Sequence, residues 1–226
     1  MCTMIRFFAR KALAMAILMG LCGALTSAHA TPLFGLYNTG VDSAGNKLAN
    51  GSIDPHWQVS TPAVGLGNYI SSYSYGSFVA GPAYHPNGFD WGLNTATRGT
   101  ISFSDGAWGD YVAYTYRTTF DLTGYDASSV NINYNAYFDD QGLIAINGVL
   151  FTPSYLYHTG LGSGVLSGLF TSGINTIDLV TFNEGGPGGV LFEVTGVSVV
   201  PAPGALALLG FGLVGLGGLG RKKRAA

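Results

Sequence analysis

Residues 130–151 read Val-Asn-Ile-Asn-Tyr-Asn-Ala-Tyr-Phe-Asp-Asp-Gln-Gly-Leu-Ile-Ala-Ile-Asn-Gly-Val-Leu-Phe, and the fold class follows from that pattern. Val130, Ile132, Tyr134, Ala136 and Phe138 alternate with Asn131, Asn133 and Asn135. A period of two is that of a strand with one apolar and one polar face. Asp139-Asp140-Gln141-Gly142 reads as the turn that follows. Leu143 to Ile146 and Val149 to Phe151 then flank Asn147-Gly148, the dipeptide that best supplies the two positive φ angles of a tight hairpin.

Outward from this centre the same grammar repeats. Tyr111 to Phe120 alternates and stops at Asp121-Leu122-Thr123-Gly124. Gly173 to Leu179 reads as another strand. Asn183 to Gly189, Asn-Glu-Gly-Gly-Pro-Gly-Gly, reads as a turn into a closing strand, Val190 to Val199. The first third is less regular, with short strand signals at Leu33 to Tyr37 and Gln58 to Ser60. Residues 31–200 are rich in Gly, Ser, Thr, Asn and Tyr and nearly lack the Lys, Glu and Arg that build exposed helices. The expectation is an all-β body, a single β-sandwich.

Both ends differ from this body. Arg6, Arg10 and Lys11 precede an apolar run, Ala12 to Leu25, and Ala28-His29-Ala30 is an A-x-A site, so residues 1–30 read as a signal peptide cleaved before Thr31. An uncleaved anchor is the alternative. Cys22 follows Leu21 where a lipoprotein needs a small residue, which argues against lipidation. Cys2 and Cys22 are the two cysteines of the chain, so the exported body has neither thiol nor disulfide. At the other end Pro201-Ala202-Pro203 is followed by 17 uncharged residues, Gly204 to Gly220, and by Arg221, Lys222, Lys223 and Arg224. As a helix those 17 residues would rise about 25 Å, the short limit for a bilayer core. The basic cluster belongs on the cytoplasmic side, which places the body outside. Seven glycines make a buried core helix costly.

The order Pro-x-Pro, Gly-rich apolar helix and basic cluster resembles the PEP-CTERM sorting signal of Gram-negative bacteria, with Ala202 where that family usually has Glu. The resemblance implies export through the secretion translocon and a transient inner-membrane anchor. An exosortase, a membrane protease-transferase, then removes the helix. It also implies a cell-surface or matrix location in bacteria that make extracellular polysaccharide and biofilm. The body resembles the jelly-roll modules of the galactose-binding-like superfamily over about residues 111–199. The matching features are Arg117-Thr118-Thr119-Phe120-Asp121-Leu122, the Asp139-Asp140 turn, Ile144-Ala145-Ile146-Asn147-Gly148, and Gly173-Ile174-Asn175 with its strand. Members of that superfamily bind sugars, lipids or proteins, or serve as spacers.

Charge narrows the partners. Of ten basic residues only Lys47, Arg98 and Arg117 lie in the body, against all 12 acids, leaving it at −9. Such a surface repels nucleic acid and anionic polymers. Asp42, Gly45 and Asn46 in one loop, and Asp139 with Asp140 in another, are oxygen donors for a cation such as Ca²⁺, although Asp/Asn/Gly clusters also build plain turns. Tyr73, Tyr75 and Trp91 are candidates to stack on sugar rings, with core packing as the other reading. His56 beside Trp57, and His85 without a second His or Cys at metal spacing, read as packed. Glu184, in the Gly-rich turn, and Glu193, mid-strand and solvent-facing, are the body's two glutamates. No nucleophile elbow, phosphate loop or H-E-x-x-H occurs. The reading is a noncatalytic exported protein that binds exopolysaccharide. A structural adhesin without a sugar site and a glycan-cleaving enzyme are the alternatives.

Overall fold

The computed structural model describes residues 35–60, 78–157, 160–202 and 204. The signal peptide, Tyr73, Tyr75, Pro203 and the basic cluster lie outside them. Among the described residues no helix is long and apolar enough to cross a membrane.

Nine strands follow one another: β1 Ile53–Ser60, β2 Gly81–Tyr84, β3 Trp108–Asp121, β4 Tyr125–Asp139, β5 Gln141–Ile146, β6 Val149–Tyr157, β7 Gly162–Ser167, β8 Ile174–Pro187 and β9 Gly189–Pro201. They form two sheets, β2-β1-β3-β8-β5-β6 and β7-β4-β9, and among the described residues each pair of neighbouring strands is antiparallel. The expected all-β sandwich is what the chain forms. Its core lies between the sheets and holds Trp57, Tyr116, Phe120, Ile132, Tyr134, Phe138, Ile144, Ile177, Leu179 and Phe192. The alternating face of β4 is the source of five of the buried residues, Val130 through Phe138 at every second position. Its asparagines 131 and 133 face outward and are exposed.

The longest ladder joins β3 to β8, from Trp108 opposite Pro187 to Asp121 opposite Ile174. On its outer side Arg117 lies opposite Asp178 and binds it bidentately, Nε to Oδ1 at 2.6 Å and Nη2 to Oδ2 at 2.9 Å, with the Phe78 ring 4.3 Å from the guanidinium carbon. That two-point geometry, with an aromatic face over the cation, lets a fully buried Asp178 remain in the sheet.

β2 and β7 were not expected from the sequence, and β3, β4 and β6 run beyond the expected ranges. Four further differences bear on the crossings and edges. The turn placed at residues 139–142 is one residue long: β4 runs through Asp139 and β5 starts at Gln141. Because β4 and β5 belong to different sheets, this is a crossing and not a hairpin. Gly142 is needed there, since a Cβ would overlap the Phe138 ring. The Gly-rich stretch 183–189 is mostly strand, with Gly188 alone between β8 and β9, so Glu184 is a strand residue opposite Tyr111. β1 begins at Ile53, earlier than the Gln58 expected, and its register shifts between Ile53 and Gln58. β9 continues through Pro201, opposite Tyr125, and the Ala202 N–H still donates to the Gly124 carbonyl at 2.9 Å. Proline is tolerated there because β9 is an edge strand. The Asn147-Gly148 hairpin is as expected, with φ of 50° and 82°.

Two polar side chains hold the loops that lead into these strands. Asn175, fully buried, accepts from the Thr171 N–H and Asn147 Nδ2 at 2.8 Å, and donates to the Thr171 and Gly173 carbonyls at 2.7 and 2.8 Å. Asn175→Ala removes these four bonds of a fully buried side chain to part-buried loop groups, and we expect a stability loss of about 2–4 kcal/mol, read from the urea midpoint. Asp54, 3% exposed, accepts from the N–H groups of Gly40, His56 and Trp57. Burial nevertheless pushes its carboxyl up to about 6. Between the ordinary 3.8 and about 6 the unfolded chain releases a proton that the folded chain keeps. Stability should therefore fall as pH rises through that window, by about 3 kcal/mol, and level off above it. His56 and His85, whose imidazoles burial pushes down, give the opposite slope. Comparing urea unfolding of the parent and Asp54→Asn at pH 4 and pH 7 cancels that shared term. The parent should carry the extra acid-side stability.

Candidate functional site

Both single-residue crossings lie where β4 and β8 end and where β5 and β9 begin. The start of β3 is there too, since Trp108 and Gly109 pair with Pro187 and Gly186. The loop carrying Phe89 and Trp91 packs over this end. Ring centroids run from Tyr137 to Trp91 at 6.5 Å, from Trp91 to Phe89 at 6.0 Å, and from Phe89 to Trp108 at 5.8 Å. The result is a continuous aromatic arc. Glycine makes it fit at Gly189, where a Cβ would lie 3.0 Å from the Trp91 ring. Tyr137 is buried at one end of the arc, while Trp108 at the other is 65% exposed.

Acids and an amide stand beside the arc. Trp91 Nε1 donates to Asp139 Oδ2 at 2.7 Å, which fixes the indole against a nearly buried carboxylate. Trp91 is held at φ 47°, a backbone region that non-glycine residues rarely enter. Asp140 Oδ2 accepts the Glu184 N–H at 2.7 Å, and Glu184 Oε1 accepts Gln141 Nε2 at 2.6 Å. Burial, with Asp139 and Asp140 close by, pushes the Tyr137 hydroxyl upward, so it remains a neutral donor. A flat exposed indole, a fixed second indole and a row of half-buried acceptors can hold a ring by its C–H face and accept its hydroxyls.

The structure thus brings Trp91, Asp139 and Asp140 together at one end of the sandwich. Asp42 and Asn46 make a separate turn, in which Asp42 Oδ1 accepts the Ala44 and Asn46 N–H groups, both at 2.9 Å. Those bonds hold the Asp42 carboxyl below its ordinary value. Among the described residues no three His, Cys, Asp or Glu gather as a metal-holding group. Asp42 and Asn46 are accounted for by the turn, and Asp139 and Asp140 by Trp91 and the Glu184 amide. His56 stacks on Tyr37, with centroids 3.5 Å apart and planes within 6°. His85 is fully buried, its Nδ1 2.8 Å from the Thr100 carbonyl oxygen. Glu193 is not a free solvent-facing carboxylate: it is half-buried, forms an ion pair with Arg98 and accepts Asn135 Nδ2 at 2.8 Å.

Trp108 and Glu184 are the site residues that the sequence reading missed. A tryptophan at the head of a strand, just after Ser104-Asp105-Gly106, was the available signal for the first. Glu184 was hidden because its glycine neighbours suggest a turn.

No protein-family model matches the chain, and no curated protein matches it. Two solved structures are similar over part of their length. A CBM35 from Paenibacillus barcinonensis is 19% identical with a TM-score of 0.29, over 43% of this chain and 78% of that one. A family 35 carbohydrate-binding module from an environmental isolate is 14% identical with a TM-score of 0.28, over 46% and 80%. At these TM-scores the likeness carries no argument about the site or its ligand.

The Trp91–Asp139 bond gives a direct test of the arc's rigidity. Trp91→Phe keeps a ring but removes the donor from a nearly buried carboxylate. We expect a loss of about 1–3 kcal/mol in urea unfolding, with near-ultraviolet circular dichroism showing a loosened aromatic signal.

Proposed function

We propose that this is an exported, noncatalytic surface or matrix protein whose sandwich end binds carbohydrate, an exopolysaccharide of the producing cell. The observation that carries the reading is the aromatic arc, which ends in a 65% exposed Trp108 and has Asp139, with Asp140 and its partner Glu184, near its Trp91 and Tyr137 end. A large exposed indole on a rigid glycine-lined support costs solvation and gains nothing for the core. Stacking on a sugar ring gives it a partner. The acids nearby accept hydroxyl protons, and their charge disfavours acidic polymers.

The export setting rests on the sequence at both ends. The A-x-A site before Thr31, the Pro201-Ala202-Pro203 motif, the apolar stretch and the basic cluster support transport by the translocon and sorting by an exosortase-type enzyme. The protein then resides at the surface or in the matrix of a Gram-negative cell.

The experiment is native electrophoresis of the full chain, in mild detergent, through gels containing the producer's exopolysaccharide. Trp108→Ala should weaken the retardation by about tenfold in apparent affinity, with an unchanged melting point because Trp108 is exposed. No release of reducing ends should accompany binding. Unchanged retardation in the variant would overturn the arc as the binding surface, and reducing-end release would favour the glycan-cleaving alternative.

A further inference from the structure

The outer face of β7-β4-β9 carries a second feature, chemically unlike the arc. Asn133 and Asn135 of β4, Ser163, Gly164 and Val165 of β7, and Thr195 of β9 line a shallow groove of about 410 Å³. The register explains it. Asn135 lies opposite Ser163 and Asn133 opposite Val165, so their side chains share the outward face. On the other side, β9 shifts register between Asn133 and Tyr134, which sets Thr195 as the extra residue beside the groove. Gly196 opposite Asn133 leaves space that the Asn133 amide lies across, 3.2 Å from where a Cβ would be. Among the described residues, the Asn133 side chain makes no hydrogen bond.

This lining has amides, hydroxyls and small apolar groups but no net charge. Glu193, the nearest acid, is neutralised by Arg98 and tied to Asn135. Amide and hydroxyl groups in a row match the donors and acceptors of sugar hydroxyls, while the net negative charge of the body disfavours acidic chains. The volume falls within the range of small-ligand sites, and the groove is open, so a chain can pass along it. Along β4, Asn135 is two residues and Asn133 four residues from Tyr137, the buried end of the arc, which at strand rise is about 7 and about 13 Å, with the exposed Trp108 at the arc's far end.

We infer that this groove is a second carbohydrate site, selective for an uncharged polysaccharide chain, which makes the body bivalent. Two sites on one rigid sandwich raise the avidity for a polymer without any new contact at either.

The test runs the full chain in mild detergent through native gels containing galactomannan or hydroxyethyl cellulose, both neutral, or polygalacturonate, which is acidic. Asn133 and Ser163 are exposed, so Asn133→Ala and the groove-filling Ser163→Trp should fold with unchanged melting points. Trp108→Ala should keep part of the retardation in a neutral gel. Adding Asn133→Ala should reduce that remainder at least fivefold, and adding Ser163→Trp should abolish it. Polygalacturonate should retard none of them. If both groove variants migrate like the parent while Trp108→Ala removes all retardation, the groove is no site and the arc stands. If the groove variants remove it and Trp108→Ala does not, the groove stands and the arc fails. Absence of retardation of the parent in either neutral gel overturns the groove, and equal retardation by polygalacturonate overturns its selectivity. If the groove variants instead change only the oligomeric state, the face is a contact between copies and the glycan site is refuted.

Discussion

The sandwich depends on two places where the chain passes from one sheet to the other across a single residue. Asp140 links β4 of the small sheet to β5 of the large one, and Gly188 links β8 back to β9. So short a crossing leaves no slack, and each is fixed by bonds from both sides. The Asp140 carboxylate takes the Glu184 N–H, and the Thr181 hydroxyl donates to the Gln141 carbonyl at 2.8 Å. Gly188 donates to the Ala107 carbonyl at 2.9 Å and accepts the Ser102 hydroxyl at 2.6 Å. Side chains cannot be added there: a Cβ on Gly188 would collide with Asn183, and one on Gly189 would come within 2.8 Å of the Ile101 carbonyl oxygen. Since both crossings fall at the same end, that end is rigid, and the aromatic arc is built on it.

The acidic character of the body has a structural explanation before any functional one. Many of its carboxylates cap nearby backbone N–H groups: Asp42 those of Ala44 and Asn46, Asp90 that of Gly92, Asp121 that of Thr123, and Asp126 that of Ser128. An all-β chain needs many turns, and aspartate builds them by satisfying backbone donors that no ladder reaches. Two of the three basic residues are held by partners, Arg98 by Glu193 and Arg117 by Asp178. The acids of the turns and strand ends are therefore kept for backbone donors, while Arg117 in β3 and Arg98 in the loop before it are held in ion pairs, and the negative surface is a by-product with consequences for binding. It disfavours acidic polymers and gives neutral ones a free approach.

Much of the fold was legible in the residues because the physical signal was local. The period-two alternation of Val130 to Phe138 depends only on strand geometry, and Asn147-Gly148 depends only on the φ angles that a two-residue hairpin demands. The errors share one cause. Asp-Asp and Gly-Gly-Pro-Gly-Gly have the composition of turns, yet strands β4, β5, β8 and β9 run almost through them. A chain leaving one sheet for another needs small residues at the crossing for steric reasons, and composition alone does not separate this from a hairpin loop. Glu184 was misplaced for that reason, and Glu193 because the ion pair with Arg98, distant in the chain, carried no local mark.

By itself the sequence determined an all-β body, its strand centres, its charge and the distinct character of its two ends, because each is set by neighbouring residues or by composition. Tertiary structure alone decided which residues meet. Trp91 and Asp139 are separated by most of β3 and β4, yet the loop geometry puts them 2.7 Å apart. Trp108 becomes part of a surface only because β3 begins beside the end of β8. The groove on β7-β4-β9 exists because a register shift in one strand faces alternating asparagines in another. Register and crossing are properties of pairs of strands, and pairing energies across long chain separations leave no trace in the order of residues along either strand.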